Sequence, residues 1–588
     1  MFQLPWIEKA LGREPAAGGK VVGLSQAVST WVRPGMALQF GSGLGYPMAL
    51  LYEIVRQFWG KDPGFTFIAY GGSSTNLVPF LEGNLVRRVL CSYMGDPYPF
   101  PSPNPLIQQA FAEKKVHFEE WSMLTLTQRL IAGALGLPFF PTRSLRGSSL
   151  AENLSGYAEI RDPFSGRPTA LVEALHPDLS LVHGWLADPD GNTVLNMPLV
   201  GNVYGPLAAR EGAIVSVEKV VSREELSRCR EHVRLPAEVV RAVVELPFGA
   251  HPSGHHHFPQ RGEEWGYAED REFIIDARRS SRSRERYREW LEHWVLGCPN
   301  HEAYLRRLGA ERLYRLKGKL SSSTWPLHFL AKEEGWEAVP PTPAEAMIIA
   351  AAREIEGLIK ERGYTSLLAG VGASHLASWL AYFSLLEQGR RIALLAEIGL
   401  YGFVPLPADP FVFALRNFST CDLYTDILHI LGVFVSGNHR RCLGVLGAAQ
   451  VDRWGNINSS QIPAADLYLV GSGGGNDVAA GAAEVVVVVE QAPHRFVAEL
   501  PFITSPGERV TTLVSQLGVF RKDPADGELK LVRYIERPGL SRERALREAR
   551  EQCGWELQIV PDPSPVPLPT PEELTRLRCL DPDRFFTR

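Results

Sequence analysis

Residues 181–196 read LVHGWLADPDGNTVLN, and residues 443–458 read LGVLGAAQVDRWGNIN. Each is an apolar run that ends in D-x-x-G-N, from Asp188 to Asn192 in one and from Asp452 to Asn456 in the other. An apolar run closed by a polar, glycine-containing turn reads as a strand and its exit. Three more pairs occur in the same order. FGSGLGYPMALLYEIVRQ (40–57) matches LAGVGASHLASWLAYF (368–383), each a Gly-x-Gly turn opening an amphipathic helix. RRVLCSYMG (87–95) matches RRIALLAEIG (390–399), and AIVSVE, ending at Glu218, matches VVVVVE, ending at Glu490. The chain therefore carries one plan twice.

Short strands alternating with helices give the α/β class, here as two similar open, largely parallel-sheet domains in tandem. The boundary falls in EEGWEAVPPTPAEAM (333–347), which divides the chain into domains at 1–335 and 336–588. There Thr342 can cap a helix, with Pro343 at its first position and Glu345 reaching back to complete a capping box. Residues 262–320, dense in Arg and Glu with interleaved Trp, Tyr and Leu, read as amphipathic helices closing the first half. Open α/β sheets bind ligands beyond the carboxyl ends of their strands, so function is expected at the seam between the halves.

A length of 588 residues exceeds one hydrophobic core, and 45% hydrophobic with 22% charged residues is a globular composition. The formal net charge of -5 gives no basic field for nucleic acid. The first 25 residues do not resemble a secretory signal, and the longest aliphatic run, VVVVV (485–489), is far short of a bilayer span, so a soluble, cytoplasmic protein without membrane contact is expected. The seven cysteines are scattered with no C-x-x-C pair, which argues against a disulfide framework or structural zinc.

The chemistry candidates are few. Glu397 follows IALLA and precedes Gly399, Gly402 and Pro405. It is either a solvated strand end or a carboxylate nucleophile or base at the lip of a sheet, with flanking glycines admitting a substrate. The pair RRVLCSYMG/RRIALLAEIG places an uncharged segment around Tyr93 opposite it, so only one half carries the carboxylate. LYLVGSGGGNDVAAGAAEVVVVVE (467–490) imitates a dinucleotide fingerprint, but the third glycine position is Asn476 and the crossover is too short. Its amides at Gly473, Gly474 and Gly475 suit an oxyanion, or the loop is a plain turn. His251, His255, His256 and His257 lie in GAHPSGHHHF (249–258); no ligand spacing supports a metal, and exposed imidazoles in a Gly/Pro turn are expected.

Together these motifs resemble a coenzyme A transferase of family I with its two subunit types fused head to tail, glutaconate CoA-transferase being the most similar branch. FGSGLGYPMALLYEIVRQ, TFIAYGG, HGWLADPDGN and VVELPFGAHP resemble the family's α chain; AEIGLYGFVP, LGAAQVDRWGNIN, GSGGGND and TLVSQLGVF resemble its β chain. The resemblance implies a ping-pong transfer of CoA between an acyl-CoA and a carboxylic acid, dicarboxylic or branched acyl groups among the candidates. Glu397 would be the nucleophile, passing through an anhydride and a glutamyl-CoA thioester. It further implies that Gln450 orients the carboxylate, that Gly473 and Gly474 meet the thioester oxygen, and that Gly370 and Gly372 lie against the CoA arm. Gly43, Gly45 and Pro47 would shape the acyl pocket, and Gly399 and Gly402 would give the substrate clearance. CoA is implied as a co-substrate, with no metal and no tightly bound cofactor, and the fused halves could pair further as a homo-oligomer. Ala396 and Ile398 replace the serine and asparagine of the succinyl and acetoacetate branch, and GSGLGYP is shorter than the usual α-type turn. Relatives in the glutaconate-like branch that act as hydrolases, ring-opening enzymes or decarboxylases set one alternative, and a non-catalytic ligand sensor of related fold sets another.

Overall fold

The computed structural model describes residues 19–41, 45–97, 100–257, 265–320, 322–331, 339–439 and 441–588. The first half builds a nine-stranded sheet from β1 (Ala37–Phe40), β2 (Phe65–Ile68), β3 (Val86–Cys91), β4 (His117–Glu120), β5 (Leu179–Ala187), β6 (Thr193–Leu195), β7 (Ala213–Val220), β8 (Val233–Leu235) and β9 (Val240–Glu245). A hairpin of β10 (His255–His257) and β11 (Trp265–Tyr267) follows. The second half builds a ten-stranded sheet. Its strands are β12 (Ser366–Ala369), β13 (Ala393–Ala396), β14 (Leu400–Tyr401), β15 (Leu423–Tyr424), β16 (Cys442–Leu446), β17 (Glu484–Val488), β18 (Val510–Val514), β19 (Gly518–Lys522), β20 (Leu529–Ile535) and β21 (Ile559–Val566).

Both sheets contain the same five-strand parallel core, in the order β2-β1-β5-β7-β9 in the first half and β13-β12-β16-β17-β18 in the second. Their aliphatic residues are buried on both faces, as parallel strands under helices require. The D-x-x-G-N turns are duplicates in atomic detail. Asp188 Oδ1 accepts from the amides of Asp190, Gly191 and Asn192 at 2.9–3.1 Å, and Asn192 Nδ2 donates to Asp188 Oδ2. Asp452 does the same for Trp454 and Asn456, and Asn456 Nδ2 donates to its Oδ2 at 2.9 Å. Gly191 and Gly455 take φ of +108° and +78°, which is why glycine stands there.

This shared register corrects one sequence pairing. Leu181 and Val445, equally spaced before Asp188 and Asp452, pair with Phe40 and Ala369; the preceding residues, Gln39 and Leu368, pair with Ile68 and Leu395. Two positions further lie Tyr70 and Glu397. The counterpart of Glu397 is therefore Tyr70 in FIAYGG, not Tyr93, because β3 lies one strand further out in the sheet. Likewise Glu218 does not end its strand, since β7 continues to Val220.

Helices α1 (Met48–Phe58), α2 (Met123–Ala134), α3 (Pro343–Arg362), α4 (Ala373–Glu387) and α5 (Gly475–Gly481) frame the seam. The α3 start has the anticipated capping box: the Glu345 amide donates to Thr342 Oγ1 at 3.1 Å, and Glu345 Oε2 accepts from the Thr342 amide at 2.8 Å. The linker residues 333–338 fall outside the described residues. Helices Arg271–Ser280, Arg284–Leu291, His301–Leu308 and Ala310–Lys319 extend the first half, burying Phe273, Tyr287, Trp290 and Tyr304 on its core. All seven cysteines are free thiols. Among the described residues no helix is long and apolar enough to cross a membrane.

Candidate active site

The loop 471–475 and helix α5 of the second half dock onto the carboxyl ends of β3 and β4 of the first. The Gly473 amide donates to Ser92 O at 2.8 Å, and Gly473 O accepts from the Met123 amide at 3.0 Å. Asp477 accepts from Ser122 Oγ at 2.6 Å and from the Leu124 amide at 2.9 Å. Glu120, at the end of β4, accepts from Ser460 Oγ and the Ser472 amide, both at 2.7 Å, and from the Tyr468 hydroxyl at 3.1 Å. Buried carboxylates are tolerable only when hydrogen-bonded in this way. The two acids therefore lock the glycine loop to the other half.

Glu397 lies just past the carboxyl end of β13, in the wall of a cavity of about 1030 Å³ that both halves line. Its carboxylate accepts a hydrogen bond from the Gly474 amide. Burial, then the neighbouring Asp477 carboxylate, push its pKa up to about 7 against that hydrogen bond. Burial also raises Glu120 to about 7 and Asp477 to about 6, the latter opposed by bonds from Ser122, Ser144 and Leu124. A carboxylate with little water around it, beside a cavity, has the reactivity that a nucleophile needs.

The residues singled out in the sequence divide into three groups. Gly370, Gly372, Gln450, Gly473 and Gly474 line the same cavity as Glu397. Gly372 takes φ of +126° where a Cβ would meet nothing within 4 Å, so the helix α4 start presents bare backbone to the cavity. Its amide donates to His375 Nδ1 at 2.8 Å. Gln450 is held from both ends: its Oε1 accepts from Asn458 Nδ2 at 2.9 Å, and its Nε2 donates to His494 O at 3.1 Å.

The second group answers to packing instead. Gly399 has φ of +121°, and a Cβ there would lie 2.5 Å from Thr425 O and 2.8 Å from Pro198 Cβ. A Cβ on Gly402 would lie 2.2 Å from the Asp422 carboxylate. Neither lines the cavity, so their freedom serves the chain crossing and not substrate clearance. Gly45 and Pro47 are also outside the lining, which their neighbours Tyr46 and Met48 join; a Cβ on Gly45 would lie 2.3 Å from Asn196 Nδ2. Gly43 falls outside the described residues. The oxyanion expectation changes as well. The amides of Gly473 and Gly475 are taken by Ser92 O and Ser472 O, which leaves Gly474 as the loop amide directed at the reacting group, and it points at Glu397 itself.

The third group is the histidine segment, expected as exposed imidazoles. His251, His255 and His256 are buried, and the side chain of His257 is outside the described residues. His251 bonds Tyr304 and Asp270, and His255 bonds Asn196 at 2.7 Å. Antiparallel pairing of β10 with β11 turns the segment inward, and His255 meets His183 and Glu218 there. Spacing along the chain could not show this, because the three residues come from three strands. Glu120 and Asp477 were also missed, although Glu120 ends HFEEW much as Glu397 ends IALLA.

A family model described as Coenzyme A transferase matches residues 22–246. One of the two glutaconate CoA-transferase chains of Acidaminococcus fermentans is 27% identical over 324 residues, covering 51% of this chain and 94% of its own. A 3-oxoadipate CoA-transferase chain of Pseudomonas knackmussii is 28% identical over 260 residues, covering 40% of this chain and 92% of its own. A crystal structure of an acyl-CoA transferase from E. coli O157:H7, as a thioester complex with CoA, covers 94% of this chain and 97% of its own, with a TM-score of 0.64 and 15% identity. That last likeness is one of fold, and it extends over both halves.

Proposed function

The chain belongs to the coenzyme A transferase family, with α-type and β-type halves in one polypeptide, and on that premise we propose that it transfers CoA between an acyl-CoA and a carboxylic acid through Glu397. The observation that carries this reading is the Glu397 carboxylate at a two-domain cavity, its pKa raised to about 7 by burial and Asp477 and one oxygen held by the Gly474 amide. In water a carboxylate is a weak nucleophile; desolvation makes it stronger.

The Glu397 oxygen attacks the thioester carbonyl, the C–S bond breaks, and CoA thiolate leaves an acyl-glutamyl anhydride. The thiolate then attacks the glutamyl carbonyl and expels the acyl group as its carboxylate, which leaves a glutamyl-CoA thioester. An incoming acid reverses these steps. During attack on the glutamyl carbonyl, negative charge develops on an oxygen of Glu397, where the Gly474 amide is already placed to stabilise it. Gln450, fixed by Asn458 and the His494 carbonyl, keeps a second amide hydrogen for the acyl oxygen. The bare backbone at Gly370 and Gly372 admits the CoA arm. Relatives named for glutaconate and 3-oxoadipate make dicarboxylic acids the first donors and acceptors to try, with His494 and Arg495 in the cavity wall as partners for a second carboxylate.

Two readouts test this. Initial rates at several fixed acid concentrations should give parallel double-reciprocal lines, the mark of a ping-pong scheme. The free-enzyme profile of kcat/KM should rise with pH through about 7, as Glu397 loses its proton. Intersecting lines, or a profile flat across that range, would sink the covalent scheme.

A further inference from the structure

We propose that His183, Glu218 and His255 form a site for one divalent transition-metal ion, zinc being the best match, that fastens the 249–257 segment to the first sheet. One ligand atom from each of the three lies within 4.8 Å of the other two. They come from β5, β7 and β10, so nothing in local sequence imposes the meeting. The His183 and His255 side chains are buried, and Glu218 is 14% exposed.

Two histidines and one carboxylate are a zinc donor set. Tetrahedral zinc places neighbouring ligand atoms roughly 3.3 Å apart, and His183 Nε2 already lies 3.0 Å from Glu218 Oε1. Small side-chain rotations bring the third atom in. The surroundings orient both rings. Ser216 Oγ lies 2.9 Å from His183 Nδ1, and the Asn196 amide lies 2.7 Å from His255 Nδ1, which assigns Nε2 as the ligating atom of each. Asn196 Oδ1 is buried with no partner, and exchanging its amide oxygen and nitrogen places the oxygen as acceptor of His255 Nδ1–H, the tautomer that ligates through Nε2. The Tyr267 hydroxyl, 3.1 Å from Glu218 Oε1, stands at the fourth position.

The site sits under the first-half rim of the large cavity, which Ser253 and Glu269 line on either side of the β10–β11 hairpin. An ion here would hold that rim against the sheet.

The test uses the full chain without a histidine tag, stripped with chelator and titrated with zinc alone, then with cobalt(II). The expected result is about one zinc per chain, a visible cobalt band of tetrahedral form, and a melting temperature that rises with zinc. Glu218→Gln and Asn196→Ala should each weaken zinc binding by about 10-fold or more, while His256→Ala leaves it unchanged. Folded wild-type protein that takes up no zinc and shows no cobalt band would overturn the proposal, leaving a hydrogen-bonded His–Glu pair. Zinc uptake unaltered in Glu218→Gln, or lost equally in His256→Ala, would overturn it as well.

Discussion

Glu397→Gln should lower CoA transfer by a factor on the order of 10⁴ or more and leave the protein folded, because removal of a covalent nucleophile takes away the whole catalytic unit. Glutamine keeps the volume and accepts from the Gly474 amide, so packing offers no competing explanation. Stability gives a second, independent readout. The Glu397 pKa is raised from 4.5 to about 7 in the folded state. Between these values the native protein keeps a proton that the unfolded chain has released, so stability falls as pH rises through that window. The amide carries no charge beside Asp477. Glu397→Gln should therefore melt higher than wild type above pH 7, by up to about 3 kcal/mol, and converge with it below pH 4.5. Thermal melts across this range check the sign. A variant that retains transfer, or one less stable at every pH, contradicts the assigned role.

Gly474→Ala should cut kcat/KM by about 10²-fold through misplacement of the carboxylate. A Cβ at this position would lie 2.0 Å from Glu397 Oε2 and 3.1 Å from its Cδ. The backbone itself raises no objection, since Gly474 has φ -88° and ψ 2°, which alanine adopts. The loss should thus be kinetic, with the melting temperature nearly unchanged. Gly473→Ala provides the opposite pattern. Its Cβ would meet nothing within 4 Å, but φ is +50°, a left-handed conformation that costs about 1 kcal/mol. That variant should be less stable and keep most of its activity. Steady-state kinetics and melts on the pair separate the two effects; equal activity losses would show that loop conformation, not clearance at Glu397, is what matters.

The parts of this architecture that were legible in the sequence are local in origin. The D-x-x-G-N turns bond within five residues, the α3 capping box within four, and the Gly-x-Gly helix starts need only one glycine pair. Glu397 stood out because a lone acid closing an apolar strand is conspicuous. What escaped is what tertiary pairing decides. Tyr70 became the counterpart of Glu397 only when sheet order showed β2, not β3, beside β1. Asp477 meets Ser122, and Glu120 meets Ser460, across more than 300 positions. Gly399 looked like clearance for a ligand until Thr425 and Pro198 were seen to occupy that space. A histidine run between glycine and proline looked exposed, whereas strand pairing buried it. Glycine and histidine serve several physical ends, and sequence does not say which.

The central claim is that Glu397 becomes covalently joined to CoA. Incubation of the pure protein with an acyl-CoA, followed by borohydride and peptide mass spectrometry, addresses it directly. The account predicts that the carboxyl group at residue 397 is reduced to an alcohol, through its thioester, only when acyl-CoA has been present, and not at Glu120. An unmodified Glu397 during steady turnover to CoA products would contradict it.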